Sequence, residues 1–141
     1  MSIRIARTDA EIAGCWRVMH QLRPSIEEAS FVARVRDQEA GGFLLAYLED
    51  AGAVQAVAGY RFLENLCTGR VLYVDDLVTD AAGRSKGYGQ LLFDWLVAEA
   101  HAAGCQSLEL DSGVQRFDAH RFYLRNRMAI SSHHFRLVLK P

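Results

Sequence analysis

The sequence has few cysteines, and their spacing excludes the sites that cysteines usually build. Cys15, Cys67 and Cys105 are odd in number and widely separated, with neither a CxxC pair nor the spacing of zinc ligands. Disulfide frameworks and structural zinc sites both need paired or clustered cysteines. The pattern therefore predicts reduced thiols that pack as small apolar core residues, as is typical of a cytoplasmic protein.

Long apolar runs and a strong net charge are also missing. No stretch approaches the ~20 apolar residues that cross a bilayer, and residues 1–9 lack the apolar core of a signal peptide. The formal net charge of −1 at pH 7 argues against nucleic acid or an anionic membrane as the main partner. With 141 residues, half of them hydrophobic, we expect a single domain over residues 1–141.

The central feature of the sequence is a strand, a basic glycine-containing loop and a long helix in direct succession. The apolar strand 72–79 leads through a turn into Arg84-Ser85-Lys86-Gly87-Tyr88-Gly89, and an amphipathic pattern continues to Ala103. The first amides of a helix lack intrahelical partners and carry the positive end of the helix dipole, so they bind phosphate well. Glycine lets the backbone approach a ligand closely. The stretch therefore predicts a site for a phosphate-bearing ligand.

Two common nucleotide-binding loops do not fit this stretch. A P-loop has two glycines five residues apart with a lysine after the second, whereas Gly87 is followed by Tyr88 and Gly89. A dinucleotide fingerprint has a third glycine three residues after the second, and Leu92 occupies that position. What remains is an Arg-x-x-Gly-x-Gly pattern between a strand and a helix.

Hydrophobic periodicity along the chain predicts the element order β-α-α-β-β-β-α-β-α-β. Residues 8–11 and 25–28 each have the pattern of a capping box, which opens a helix. The strand, helix and strand over residues 70–111 imply a parallel pair with a right-handed crossover. Residues 129–139 are predicted to form one or two closing strands.

The Arg84-x-x-Gly87-x-Gly89 pattern, with its flanking elements, resembles motif A of the GCN5-related N-acetyltransferases (the GNAT family). The resemblance covers essentially the whole chain. It implies an α/β (α+β) acyl-CoA N-acyltransferase fold, in which helices flank a mixed central sheet with splayed parallel strands. It also implies acetyl-CoA as co-substrate, without a metal. The loop amides would hold the pyrophosphate and the end of the preceding strand would pair with the pantetheine arm, which makes the coenzyme contacts Leu77, Val78, Thr79, Arg84, Ser85, Lys86, Gly87, Tyr88, Gly89 and Gln90.

The last predicted helix supplies a candidate general acid. Residues 119–123, Ala-His-Arg-Phe-Tyr, resemble the family's Ala-x-x-Phe/Leu-Tyr segment, whose tyrosine points at the coenzyme sulfur. A phenol with a pKa near ~10 can protonate a departing thiolate whose parent thiol has a pKa near ~8.5. The resemblance therefore implies that Tyr123 is catalytic, although a helix tyrosine is otherwise a packing residue. Arg116 stands where many members have a pantetheine-contacting asparagine, so Arg116 or Ser112 would make that contact.

The base that deprotonates the amine is sought among carboxylates and histidines. Asp75 and Asp76 are adjacent in a strand, so we expect their side chains on opposite faces. Asp76 is our candidate, because the family often carries an acid just before its Leu-x-Val segment and burial raises a carboxyl pKa. The alternative is an acid that orders the strand or binds a cationic substrate. Asp75, Asp111 and His120 are predicted substrate contacts. The remaining candidates for the base are His120, His133 and His134.

The resemblance implies an enzyme that transfers an acetyl group from acetyl-CoA to a primary amine in a ternary complex. The acceptor is predicted to be a small metabolite, for which the aspartates favour a cation. Arg23, Glu27, Glu28 and Arg34 on the acceptor side could contact it, although solvated helix faces are the simpler interpretation. A protein N-terminus or lysine is the alternative acceptor, and a non-catalytic acyl-CoA sensor is the alternative of another class. A homodimer is an expectation from the family alone.

Overall fold

The computed structural model describes all residues from Met1 to Pro141. They form two compact units, Met1–Glu109 and Leu110–Pro141. In chain order the elements are β1 (Ser2–Ile5), α1 (Asp9–Gly14), α2 (Trp16–Leu22), α3 (Glu28–Glu39), β2 (Leu44–Asp50), β3 (Ala53–Asn65), β4 (Gly69–Thr79), α4 (Tyr88–Ala102), β5 (Ser107–Leu110) and α5 (Phe117–Arg125). None of the helices is long and apolar enough to cross a membrane.

The strands form one five-stranded sheet in the order β1-β2-β3-β4-β5. Antiparallel pairing joins β1 to β2, β2 to β3 and β3 to β4. β5 lies beside β4 after the crossover through α4, and such a connection joins parallel strands. The predicted α/β class, with a mixed central sheet flanked by helices, is confirmed.

Helices α1, α2 and α3 bury an apolar core against the sheet. The capping box predicted at Thr8 is present, because the Thr8 hydroxyl accepts from the Glu11 amide (3.1 Å) and the Glu11 carboxylate accepts from the Thr8 amide (2.9 Å). α1 and α2 then follow each other with only Cys15 between them. Buried residues of this core include Ile12, Cys15, Val18, Met19, Phe31, Val35, Leu45 and Val57.

Helix α4 lies against β3 and β4 through a separate apolar set. Leu92 and Leu96 are fully buried, and the Trp95 ring meets the Tyr60 ring edge to face with centroids 6.0 Å apart. The first turn of α4 stands close to the end of β4, since a Cβ built on Gly89 would lie 3.0 Å from Thr79 Oγ1. The core packing therefore fixes the helix start beside the strand end.

A β-bulge in β4 places two neighbouring aspartates on the same face of the sheet. In the register of β3 with β4, Gly59 faces Asp76 and Tyr60 faces Val74, so no residue of β3 stands directly opposite Asp75. The extra residue interrupts the alternation of side chains, and both aspartates line one cavity. The prediction that they point to opposite faces is wrong, because it assumed regular pleating throughout the strand.

The second predicted capping box, at residues 25–28, is not formed. α3 begins after Glu27, its N-cap, without a side-chain cap hydrogen bond. The preceding turn is held by the Ile26 amide, which donates to the Arg23 carbonyl (3.1 Å), and by the Trp16 indole, which donates to the Ile26 carbonyl (2.9 Å). This contact from α2 fixes the turn, and the local pattern does not reveal it.

The closing strands predicted over residues 129–139 are also absent. This segment has no strand residues, and its large apolar side chains are exposed: Ile130, Phe135, Leu137, Val138 and Leu139. A strand is stabilised by packing against same-face and cross-strand neighbours. With its side chains exposed, the segment lacks that stabilisation, so β propensity alone does not make it a strand.

Gly59 in β3 has no room for a side chain, because a Cβ there would lie 2.5 Å from Asp76 Oδ2 and from the Phe43 ring. We predict that Gly59→Ala lowers the free energy of unfolding by about 1–3 kcal/mol, the usual cost of overpacking. Urea unfolding measures this change. Gly14→Ala is the control, since a Cβ at Gly14 in α1 meets nothing within 4 Å. Equal stability of the two variants would contradict the close approach at Gly59.

Candidate active site

The loop between β4 and α4 has the backbone geometry of an anion site. Gly87 is the N-cap of α4 with φ +83°, and no side chain caps the helix. Amides at this helix start that donate to no acceptor within the chain are those of Ser85, Gly87, Tyr88 and Gly89. Arg84 and Lys86 are exposed beside them. Free amides, the positive end of the helix dipole and two cations together suit a phosphate.

Tertiary hydrogen bonds from α2 hold the start of this loop. Arg17 Nη1 donates to Asp80 Oδ2 (2.8 Å), the Gln21 side chain donates to Asp80 Oδ1 (3.1 Å), and the Gln21 oxygen accepts from the Ala81 amide (2.9 Å). The hydrogen bond from Arg17 lowers the pKa of Asp80, which keeps this carboxylate ionised. Sequence reasoning missed this anchor, because the side-chain partners of Asp80 are 59 and 63 residues away in the chain.

Two predicted coenzyme contacts have side chains that are engaged within the chain. The Tyr88 hydroxyl donates to Asp50 Oδ2 (2.7 Å), and Gln90 Nε2 donates to Asp94 Oδ1 (2.9 Å). The Asp50 bond raises the pKa of Tyr88. Tyr88 therefore offers a ligand its backbone amide, and its side chain fixes the helix start to the end of β2.

The last residues of β4 keep one backbone edge that β5 does not reach. Residues 77–79 pair with β3 on one side. β5 starts beside the beginning of β4, where the Gln106 amide donates to the Arg70 carbonyl (2.7 Å). Since β5 has four residues and β4 has eleven, β5 ends before the level of Leu77. Leu77, Val78 and Thr79 form the predicted donor segment, the residues expected to pair with the coenzyme. Their second backbone edge is therefore not covered by β5.

A cavity of about 550 Å³ opens between the turn after α2, helix α3 and strands β3 and β4. This volume is in the range of sites that bind small molecules. Phe31 and Phe43 contribute to its apolar lining, and its polar lining consists of Arg23, Arg34, Gln38, Arg61, Tyr73, Asp75 and Asp76. The cavity thus includes both arginines that the sequence suggested for the acceptor side. Glu27 and Glu28, suggested with them, do not line it.

Asp76 lies in this cavity with one carboxylate oxygen engaged and the other available. Arg23 Nε donates to Oδ1 (2.8 Å), whereas Oδ2 accepts no hydrogen bond and lies over Gly59. Burial raises the pKa of Asp76, and the Arg23 guanidinium opposes that shift. A carboxylate with a raised pKa and an available oxygen is suited to accept a proton.

Asp75 is fully engaged with Arg61, a cavity residue that sequence reasoning missed. Arg61 Nε donates to both Asp75 oxygens (3.2 Å each), and Nη2 donates to Asp75 Oδ2 (2.6 Å) and to Gln38 (3.0 Å). The guanidinium also lies 5.5 Å from the centroid of the Phe43 ring. Asp75 therefore positions Arg61. The sequence signal that could have revealed Arg61 is its position as a charged residue between two aromatic neighbours in a mostly apolar strand.

The other predicted site residues, Tyr123, Asp111 and His120, belong to the second unit. Burial raises the pKa of the Tyr123 phenol. His120 Nε2 lies 2.8 Å from the Gly113 carbonyl, which ties α5 to the loop before it, and Asp111 lies 3.5 Å from His134. His120 and Asp111 thus have partners within their own unit, and their roles at a substrate stay predictions.

Comparison with known proteins identifies the family. A sequence model described as "Acetyltransferase (GNAT) family" matches residues 5–127, which span most of the chain. The chain belongs to the GNAT family. It is an N-acetyltransferase by family and by its named relatives.

Three relatives of this GNAT chain are N-acetyltransferases. An uncharacterized N-acetyltransferase of Bacillus subtilis, YhdJ, is 35% identical over 114 residues, 80% of each chain. The aminoalkylphosphonate N-acetyltransferase of Salmonella typhimurium is 38% identical over 65 residues, 46% of this chain and 41% of the relative. Glucosamine 6-phosphate N-acetyltransferase 1 of Oryza sativa is 37% identical over 97 residues, 62% of this chain and 58% of the relative.

Solved structures with the GNAT fold superpose on nearly the whole chain. A transcriptional regulator from Bacillus halodurans matches with a TM-score of 0.84 and 20% identity, covering 98% of this chain and 99% of that one. Since the identity is low, this likeness shows the fold alone. The GNAT family generally uses acetyl-CoA, whose pyrophosphate is the kind of group that the free amides at Gly87 suit.

Proposed function

We propose that this protein transfers the acetyl group of acetyl-CoA to a primary amine of a small metabolite by direct transfer in a ternary complex. The observation that carries the proposal is the position of Asp76. This residue lines the small-molecule cavity, and the next residue in β4 begins the predicted donor segment, residues 77–79. Donor and acceptor would therefore meet at the bulge in β4.

The proposed reaction removes two protons from the acceptor nitrogen and delivers one proton to the departing sulfur. Asp76 Oδ2 accepts a proton from the acceptor ammonium, directly or through water, and the amine nitrogen then attacks the thioester carbonyl. A backbone amide of residues 77–79 stabilises the oxyanion. When the C–S bond breaks, the departing thiolate takes a proton from the Tyr123 phenol. The nitrogen then releases its second proton to the tyrosinate, directly or through water, which leaves a neutral amide and restores the phenol. A phenol carries its proton at neutral pH, and the burial that raises the pKa of Tyr123 makes it a weaker acid than a free phenol.

A hydroxyl in the second unit supports the proposed coenzyme contact. Ser112 Oγ is buried without a hydrogen-bond partner, and a buried polar group without a partner destabilises the fold. A ligand amide would satisfy it. Arg116, by contrast, is the N-cap of α5. We therefore assign the pantetheine contact to Ser112.

The relatives support a small amine as the acceptor. The Salmonella and rice enzymes are named for an aminoalkylphosphonate and for glucosamine 6-phosphate, which are small amines. The family match spans both compact units, so we propose that they act as one catalytic domain. The cytoplasmic location stays a prediction. A homodimer stays a prediction.

Tyr123→Phe is expected to lower kcat by about 10- to 100-fold, because general acid catalysis contributes about 10²–10⁴-fold and water can partly replace the phenol. The affinity for acetyl-CoA should change little, since only the hydroxyl is lost. Steady-state kinetics and calorimetric titration measure the two effects. An unchanged kcat would remove Tyr123 from catalysis, and an equal loss of affinity would make it a binding residue.

Thiol release tests the proposed function against a non-catalytic sensor. The protein is mixed with acetyl-CoA and a set of small primary amines, and free thiol is followed with a chromogenic reagent. Amine-dependent release supports the transferase. Tight acetyl-CoA binding without release for any amine would favour the sensor and would contradict the proposal.

A further inference from the structure

The cavity carries more positive than negative charge. Its charged lining residues are Arg23, Arg34 and Arg61 against Asp75 and Asp76. Arg23 is paired with Asp76 and Arg61 with Asp75, which leaves Arg34 as the excess cation. The expectation that aspartates in this region favour a purely cationic acceptor therefore neglects the arginines that neutralise them.

Arg34 has no charged partner within the chain. It forms no hydrogen bond or ion pair, and it is exposed where α3 borders the cavity. Other arginines of α3 and its surroundings are engaged, as Arg36 is with Asp9 (2.8 Å) and with Glu39 (2.9 Å). An unpaired guanidinium at a cavity with a net positive charge suits an oxyanion, which it can bind through two parallel hydrogen bonds.

The two paired arginines also keep donors available. Arg61 uses Nε and Nη2 in its contacts with Asp75 and Gln38. Arg23 uses Nε and Nη2 in its contacts with Asp76 and the Asp75 carbonyl. In both guanidinium groups Nη1 makes no hydrogen bond within the chain. The aspartates hold these groups in fixed orientations, and a carboxylate or phosphate in the cavity would meet donors that are already placed.

We infer that the acceptor is an amine that also carries an anionic group, a carboxylate or a phosphate. This inference rests on the proposed function and names the substrate class of the same site. The anion contacts Arg34 and the free Nη1 donors, while the amine reaches the available Oδ2 of Asp76. The opposite ends of such a molecule thus match the opposite charges of the cavity, and Phe43 contributes apolar surface to the same cavity.

Matched acceptors test the inference. β-Alanine carries a carboxylate, O-phosphoethanolamine carries a phosphate, propylamine is uncharged apart from its amine, and putrescine carries a second amine. We expect kcat/KM for at least one anion-bearing acceptor to exceed that for propylamine by about 10-fold or more, as hydrogen bonds to charged groups allow. The anion-bearing acceptor with the higher kcat/KM shows whether the cavity prefers a carboxylate or a phosphate. A preference for propylamine or putrescine would overturn the inference.

Variants locate the anion contact. Arg34→Gln should raise KM for the preferred anion-bearing acceptor by about 10-fold, with little change for propylamine, and Arg34→Lys should restore part of the loss. Arg4→Gln is the control, because Arg4 is also exposed but does not line the cavity. An Arg34→Gln variant that keeps the wild-type preference would contradict the assignment.

A binding experiment separates failure of this inference from failure of the proposed function. The same acceptors are titrated calorimetrically into protein saturated with coenzyme A, which allows no transfer. Binding of an anion-bearing amine that Arg34→Gln weakens would support the inference even if no product forms. Acetylation of propylamine without a preference for anions would leave the function standing and overturn the inference.

Discussion

Gly89→Trp is expected to abolish detectable binding of acetyl-CoA. A side chain at this position starts 3.0 Å from Thr79 Oγ1, between the end of β4 and the first turn of α4, where the loop amides are free. A bulky group there displaces the pyrophosphate. Loss of two hydrogen bonds to a charged group, worth roughly 1.5–3 kcal/mol each, weakens the Kd by about 100-fold or more. Calorimetric titration of wild type and variant measures this effect.

Two controls accompany the Gly89 variant. Gly14→Trp places the same side chain at an exposed helical glycine where a Cβ meets nothing within 4 Å, and it should bind acetyl-CoA as the wild type does. A melting temperature of Gly89→Trp within a few degrees of the wild type shows that the fold is retained. A folded Gly89→Trp variant with wild-type affinity would remove the loop from the donor site.

Asp76→Asn is expected to lower kcat by about 10²–10⁴-fold, the usual contribution of a general base. Asparagine keeps the shape of the side chain but cannot accept the proton. The affinity for acetyl-CoA should stay unchanged, because the donor loop is not altered. Asp37→Asn is the control, since Asp37 is exposed on α3 and does not line the cavity. A kcat within a few-fold of the wild type would show that Asp76 only orders the strand.

The pH profile gives a second measure of the role of Asp76. Burial raises the pKa of this carboxyl above its ordinary value, and a base must be deprotonated. The rate should therefore fall as the pH falls through that raised pKa, and this acid limb should be absent from Asp76→Asn. Arg23 lowers the pKa of Asp76, so Arg23→Gln should move the limb to higher pH. An acid limb at the wild-type pH in Arg23→Gln would contradict the ion pair between Arg23 and Asp76.

The strand, loop and helix from β4 to α4 were predictable from sequence because their determinants are local. A strand, a loop with Gly87 and Gly89 and an amphipathic helix follow one another within about thirty residues, and each needs only its own pattern. The helix start has the expected free amides and the left-handed glycine. The anchor formed by Arg17 with Asp80 depends on a tertiary contact, so no local sequence pattern predicts it.

The cavity between α3 and strands β3 and β4 was less predictable because it depends on register and on pairing between distant strands. The bulge at Asp75 follows from how β4 pairs with β3, and it brings Asp75 and Asp76 to one face. The pairing of Arg61 with Asp75 and the close approach over Gly59 follow from the same register. The closing segment 129–139 shows the opposite error, in which strand propensity predicts an element that packing does not stabilise.

The central claim is acetyl transfer from acetyl-CoA to a small amine, and product analysis tests it most directly. The protein is incubated with acetyl-CoA labelled in the acetyl group and with β-alanine, O-phosphoethanolamine and propylamine, and the products are separated by mass. We predict a labelled N-acetyl amide together with an equal amount of free coenzyme A, and neither product from Asp76→Asn on the same timescale. Intact acetyl-CoA after long incubation with every amine, or labelled acetate without an amide, would contradict the account.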